Sequence, residues 1–320
     1  MGGKSTELAN SCPLPTYPGL WPFSLGDFAC QTDDALKEYD NLGEQIFGKE
    51  NHRYKKRKAE FMEQQYAPYK ADGIVNAVNG IVTELEESHK LKNPLGDPPF
   101  GKCVVFAVQA DPVKGFAKRF RTYQHEDQWD KDVEIWEAAR ATSAAPSFFE
   151  PITVNGIGFV DGALRFNNPT SEVLDEAGQL FKKTSTIGCI LSLGTGSKNP
   201  VTLADGVESK IAWLHTLGRI TLNSLTDTEK DHEDLERRFG KAYSDTYIRL
   251  NVPGAADIVK LDHYYSMPEL KAMTQRYLDS MSQRVDTTVE NLATDRNQSL
   301  KLGDACECFP QTNQKSSRNI

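Results

Sequence analysis

With 320 residues, 38% of them hydrophobic and 26% charged, the chain can build one large domain or two modest ones under a well-solvated surface. A net charge of −8 argues against a nucleic-acid partner, which needs a basic face. No apolar run approaches the ~20 residues of a membrane span, and the N-terminus shows no apolar core of a secretory signal, so the reading is cytoplasmic, at most peripheral at membranes.

Residues 1–30 hold prolines and glycines without a clear period and read as irregular. From Thr32 the texture changes. Ala35, Tyr39, Leu42 and Ile46 recur at three- and four-residue steps, which predicts an amphipathic helix capped by Thr32 and stopped by Gly48. The basic stretch His52–Lys58 reads as a solvated helix face or, more sharply, as a contact for anionic lipid headgroups. A helix is expected from Gly73 to His89, then a Pro/Gly-rich loop, then a buried strand CVVFAV at Cys103–Val108 and a second strand at KRFRTYQ. An alanine-rich helix is predicted over Glu134–Ala145, halted by Pro146. GIGFVDGAL reads as a strand entering a turn, and Thr170–Phe181 as a helix capped by Thr170 or Ser171. TIGCILSLGTGS reads as a strand ending in a glycine turn. Strands alternating with helices point to an α/β sheet with parallel members. After Pro200 the pattern is mostly helical to residue 300, interrupted by a strand at TYIRLNV, and 301–320 reads as a polar tail.

Of the six cysteines, Cys103 and Cys189 lie in apolar runs and read as buried small hydrophobes, while Cys306 and Cys308 make too little for zinc. No acidic loop has calcium spacing, and neither a metal nor a cofactor is expected.

The stretch FVDGALRFNNP carries the chemistry. Asp161 follows an apolar run, where a carboxylate stands at the carboxyl end of a strand, the place where α/β sheets collect functional groups. Gly162 permits a tight turn and close backbone approach, and Ala163 keeps the surroundings uncrowded. Asn167 and Asn168 can hydrogen-bond a turn, and Pro169 sets the start of the next helix. Taken by itself, Asp-Gly is also a common turn pair.

WEAARATSAAPSFFEP, FVDGALRFNNP and CILSLGTGS, in this order and spacing, resemble the second half of patatin-like phospholipases. TDDALKEYDNLGEQIFGK is similar to that family's helix after the nucleophile, and RFRTYQ to the stretch before the alanine-rich helix. YIRLNVPG and LDHYYSMPELKAMTQRYL resemble the downstream part of fungal-type members. The resemblance implies a three-layer α/β/α core over residues 31–200, N-terminally incomplete, with a mostly helical region at 201–300. It also implies acyl-ester hydrolysis of lipid or phospholipid by a serine–aspartate dyad, in which Asp161, within the motif Asp161-Gly162-Ala163, is the proton acceptor.

The family's serine stands on a G-x-S-x-G elbow, and no such motif occurs in this sequence. Ser5 has Glu7 where the second glycine belongs and no strand before it. GGKST also echoes the end of a phosphate-binding loop without its first glycine. Ser197 follows the glycines of SLGTGS, which reads as a structural turn. A glycine-rich oxyanion loop is not recognisable either. The chain thus reads as lacking the first strands of the core, which predicts exposed sheet edges. Two functions follow: a lipid acyl hydrolase with Asp161 as base, or an inactive remnant that binds lipid or a protein partner, with little esterase turnover.

Overall fold

The computed structural model describes residues 8–9, 32–52, 67–84, 102–110, 117–127, 129–146, 148–166, 168–197, 228–240, 246–258, 262–293 and 300–307. Its axis is the strand β2 (Lys102–Gln109), and β1 (Leu8–Ala9) lies parallel to the start of β2. The hairpin partner β3 (Ala117–Arg121) runs antiparallel along β2, from Val104 opposite Arg121 to Val108 opposite Ala117. On the other edge β5 (Ile157–Val160) pairs antiparallel with the end of β2, and β4 (Ile152–Val154) pairs with β5. The sheet is therefore mixed and largely antiparallel, and the parallel members expected from the sequence are confined to short pairs. The connections explain this. β4 and β5 are joined by Asn155-Gly156, with φ of 49° and 76°, a short turn that forces reversal. The parallel pairs are β1 with β2, and β7 (Ile190–Leu193) with β8 (Tyr247–Leu250). A further two-stranded piece joins β6 (Thr186–Ile187) to β9 (Leu300–Lys301).

Every second residue of β2 faces one layer. Cys103, Val105 and Ala107 pack with Phe120, Phe159 and the alanines of α3 (Ile135–Thr142). Val104 and Phe106 pack with Tyr123, Phe166 and Val173 on the opposite face. That face is covered by α4 (Ala163–Phe166) and α5 (Thr170–Leu180). A strand rich in β-branched residues and buried on both faces makes this the middle layer of an α/β/α arrangement.

The helix α1 (Thr32–Phe47) buries Tyr39, Leu42 and Ile46 as their spacing predicts, against α2 (Asp72–Glu84) through Ile74 and Ala77. The C-terminal helices Met267–Ser280 and Ser282–Ala293 follow the predicted helical run, and Met267 and Leu270 close the α1–α2 core.

Several expectations change in detail. Leu8–Ala9 is a strand inside the stretch read as irregular, paired with the start of β2. Leu300–Lys301 and the helix Leu302–Glu307 are folded at the start of the expected polar tail, because Leu300, Leu302 and Ala305 are apolar and buried. Pro169 holds the N-cap position of α5, so Thr170 is its first helical residue and not its cap. Cys103 is buried, whereas Cys189 is only half-buried. No described helix is long and apolar enough to cross a membrane.

Candidate active site

Asp161 is the first residue after β5, and its side chain is 4% exposed. The loop is held by its backbone. The Asp161 N–H donates to the Ala144 carbonyl at 3.0 Å, and the Gly162 N–H to the Thr142 carbonyl at 3.3 Å. Both acceptors belong to the end of the alanine-rich segment. The helix α3 stops at Thr142, three residues before the predicted end at Ala145, and the liberated carbonyls turn to the Asp161 loop. The start of α3 is fixed by a reciprocal capping box between Glu134 and Glu137. Ala138, Ala139 and Ala141 are fully buried against β2 and β5, so small side chains bring this helix close to the sheet.

Gly162 is required by space rather than by a left-handed backbone. A Cβ there would overlap the Phe106 carbonyl oxygen of β2. Ala163 opens α4, and its N–H donates to Asp161 Oδ1 at 2.7 Å. That is the carboxylate's one hydrogen bond among the described residues. Among the described residues no charged side chain contributes to its titration. Burial pushes the Asp161 pKa up to about 7, opposed only by the Ala163 N–H. A carboxyl group poised there can take a proton from a hydroxyl near neutral pH.

Beyond α4 the polar residues tie three segments together. Asn168 Oδ1 accepts from the Thr170 hydroxyl at 2.7 Å. Ser192 of β7 accepts from Arg249 Nη1 of β8 at 2.9 Å. Glu229 Oε1 takes Arg249 Nη2 at 3.0 Å and Asn251 Nδ2 at 2.7 Å. Asn251 Oδ1 in turn receives the Gly196 N–H at 2.7 Å, and the Ser197 N–H bonds the Val252 carbonyl. The SLGTGS turn is thus clamped by its own backbone to the strand-end loop of β8. Burial pushes the Tyr247 hydroxyl beside Ser192 and Asn168 up to about 12.

Of the residues expected at the site, Asp161, Gly162 and Ala163 come together, with Asn168 at the far end of α4. Asn167, Ser5 and all of the basic stretch after His52 lie outside the described residues. His52 packs edge-on against Tyr69, with ring centroids 5.4 Å apart. Among the described residues no hydroxyl is bonded to the Asp161 carboxylate, and no group of three or more His, Cys, Asp or Glu side chains could hold a metal ion. Sequence reasoning missed Thr142 and the Ala144 carbonyl as holders of the loop. The fixed order of ATSAAP before DGA was the available signal.

The fold and this site define an α/β protein whose sheet carries a buried, unpaired acid at a strand end. Residues 32–174 match the family model of patatin-like phospholipases. Similar proteins include a calcium-independent phospholipase A2-gamma of Rattus norvegicus, 25% identical over 295 residues, covering 88% of this chain and 35% of that protein. An 85/88 kDa calcium-independent phospholipase A2 of Mus musculus is 30% identical over 147 residues, 40% of this chain and 18% of the relative. Patatin-like phospholipase 1 of Plasmodium falciparum is 29% identical over 221 residues, 58% of this chain and 32% of the relative. The chain spans about a third or less of the length of these relatives.

Proposed function

We propose that this domain serves hydrolysis of lipid acyl esters, phospholipids being the substrate class, with Asp161 as the proton acceptor. The observation that carries the reading is the state of Asp161: buried, without a cation among the described residues, and with a pKa near 7. In the proposed chemistry a serine oxygen attacks the ester carbonyl while its proton passes to the Asp161 carboxylate. The alkoxide leaves with a proton, and water then releases the fatty acid from the acyl-serine. The names of the relatives support the phospholipid class, and their calcium independence is proposed for this chain as well. Peripheral contact with a lipid surface belongs to the same proposal.

A second reading has its own observation. Residues 1–320 contain no G-x-S-x-G, so no serine of this sequence is assigned as nucleophile. Lipid or partner binding without turnover is the function that this favours.

Turnover of a short-chain p-nitrophenyl ester and labelling by a fluorophosphonate probe, in wild type and Asp161→Ala, separate the two. The hydrolase reading expects labelling, and turnover that falls at least about 100-fold in the variant. Equal background rates and no labelling would remove it, and retained binding to phospholipid vesicles would then carry the second.

A further inference from the structure

Three elements meet at one carbonyl oxygen. Phe106 O, in the middle of β2, accepts the Thr142 hydroxyl at 2.7 Å. The same oxygen is what a Cβ on Gly162 would strike, with Thr142 Oγ1 next nearest among side-chain atoms. The main chain of Thr142 points the other way along the same contact, its carbonyl accepting the Gly162 N–H at 3.3 Å. Position 146 explains why that carbonyl is available. In a continuing helix the Thr142 carbonyl would take the N–H four residues on, and Pro146 has none. Neighbouring Ser143 does not compete, since its hydroxyl turns back onto the Ala139 carbonyl at 2.7 Å.

We propose that Thr142 is a positioning residue: its hydroxyl stitches the end of α3 to β2, its carbonyl holds Gly162, and together they set how deep Asp161 lies between helix and sheet. The proposal rests on the reading of Asp161 as a proton acceptor, but its geometry does not need a nucleophile. It accounts for the pairing of two separated sequence motifs. ATSAAP supplies the hydroxyl, the freed carbonyl and the proline, and DGA supplies the one residue small enough to lie on the Phe106 carbonyl.

The groups that face Asp161 define what a change at Thr142 does. β2 contributes the Phe106 carbonyl beside Gly162, α3 its terminal carbonyls, and α4 the Ala163 N–H; among the described residues no charge contributes. The proton affinity of Asp161 is therefore governed by its exclusion from water, and a loosened clip admits water and favours the carboxylate.

The test is a carbon-13 NMR titration of the Asp161 carboxyl in wild type, Thr142→Val and Thr142→Ser. Valine keeps the shape and deletes the hydroxyl. Its titration midpoint is expected to fall by about one pKa unit or more, a tenfold loss of proton affinity. Serine restores the hydroxyl and is expected to titrate with wild type. Should Thr142→Val not fold, Thr142→Ala takes its place with the same expectations. A purely structural role would lower the melting temperature and leave the midpoint in place, and that result, or a serine variant displaced as far as valine, would overturn the proposal. The titration requires no turnover. An unmoved midpoint in a protein with Asp161-dependent turnover refutes the positioning role alone. A moved midpoint in a protein without turnover refutes the hydrolase reading alone.

Discussion

Among the carboxylates that lie almost wholly out of water in the described residues, Glu176 and Asp161 are treated in opposite ways. Glu176, in the middle of α5, is fully buried and fully partnered. Its Oε1 receives Arg121 Nε at 2.5 Å and the Tyr123 hydroxyl at 2.8 Å, and its Oε2 receives Arg121 Nη2 at 3.0 Å. Arg119 Nη1 stands 3.1 Å from Oε2 as well. Burial by itself would raise the Glu176 pKa, but the hydrogen bond and charge of Arg121 override it and hold the group below the usual carboxylate range. Asp161, at the end of β5, has one backbone N–H and no cation among the described residues, and burial drives it the other way. Glu176 fastens α5 to β3. Asp161 fastens nothing that a neutral residue could not. A group whose charged form is disfavoured and whose compensation is a single backbone N–H is a candidate for chemistry, whereas a saturated one is a candidate for architecture.

The largest effect that would sharpen this contrast is at Glu176. Glu176→Gln removes the carboxylate bonded to Arg121 and leaves that buried guanidinium without its ion pair, and a loss of about 3–5 kcal/mol is expected in urea unfolding at pH 7. An unchanged midpoint would mean that the cluster is no more than a surface pair.

A somewhat smaller effect, with a distinctive sign, is expected at Asp161. Folding raises its pKa, so between about pH 4 and 7 the native chain binds more protons than the unfolded one and loses stability as the pH rises through that window. Asp161→Asn cannot ionise. Its stability relative to wild type is expected to be flat below about pH 4, to climb through the window, and to level off above pH 7 at a gain of up to about 4 kcal/mol. Glu176 has the reverse sign, with stability present above about pH 4.5 and lost as the pH falls. A gain for Asp161→Asn that does not vary with pH would break the comparison.

Much of this was legible in the sequence, and the reasons are local. β2 announced itself by a run of β-branched and aromatic residues, α1 by apolar residues at helical spacing, and Asp161 by its place between an apolar run and a glycine. Pairing direction was not legible in the same way. The Asn155-Gly156 turn was present as a dipeptide, but the strands around it are only three and four residues long and gave little pattern to read. The buried charge cluster was hidden because Arg121 and Glu176 are 55 residues apart, and alternating charges on a strand look like a solvated face until a helix covers them. Thr142 was hidden for the same reason, its hydroxyl partner lying 36 residues away. Nor could the isolation of Asp161 be read, because it depends on which side chains do not approach.

The account rests on that isolation, and the carboxyl titration of Asp161 in the wild-type chain, followed by carbon-13 NMR with Asp161→Asn to assign the signal, tests it most directly. A midpoint of about 7 is predicted. A midpoint near 4, the ordinary value for an aspartate in water, would contradict it: Asp161 would then be solvated or paired, and its difference from Glu176 would vanish.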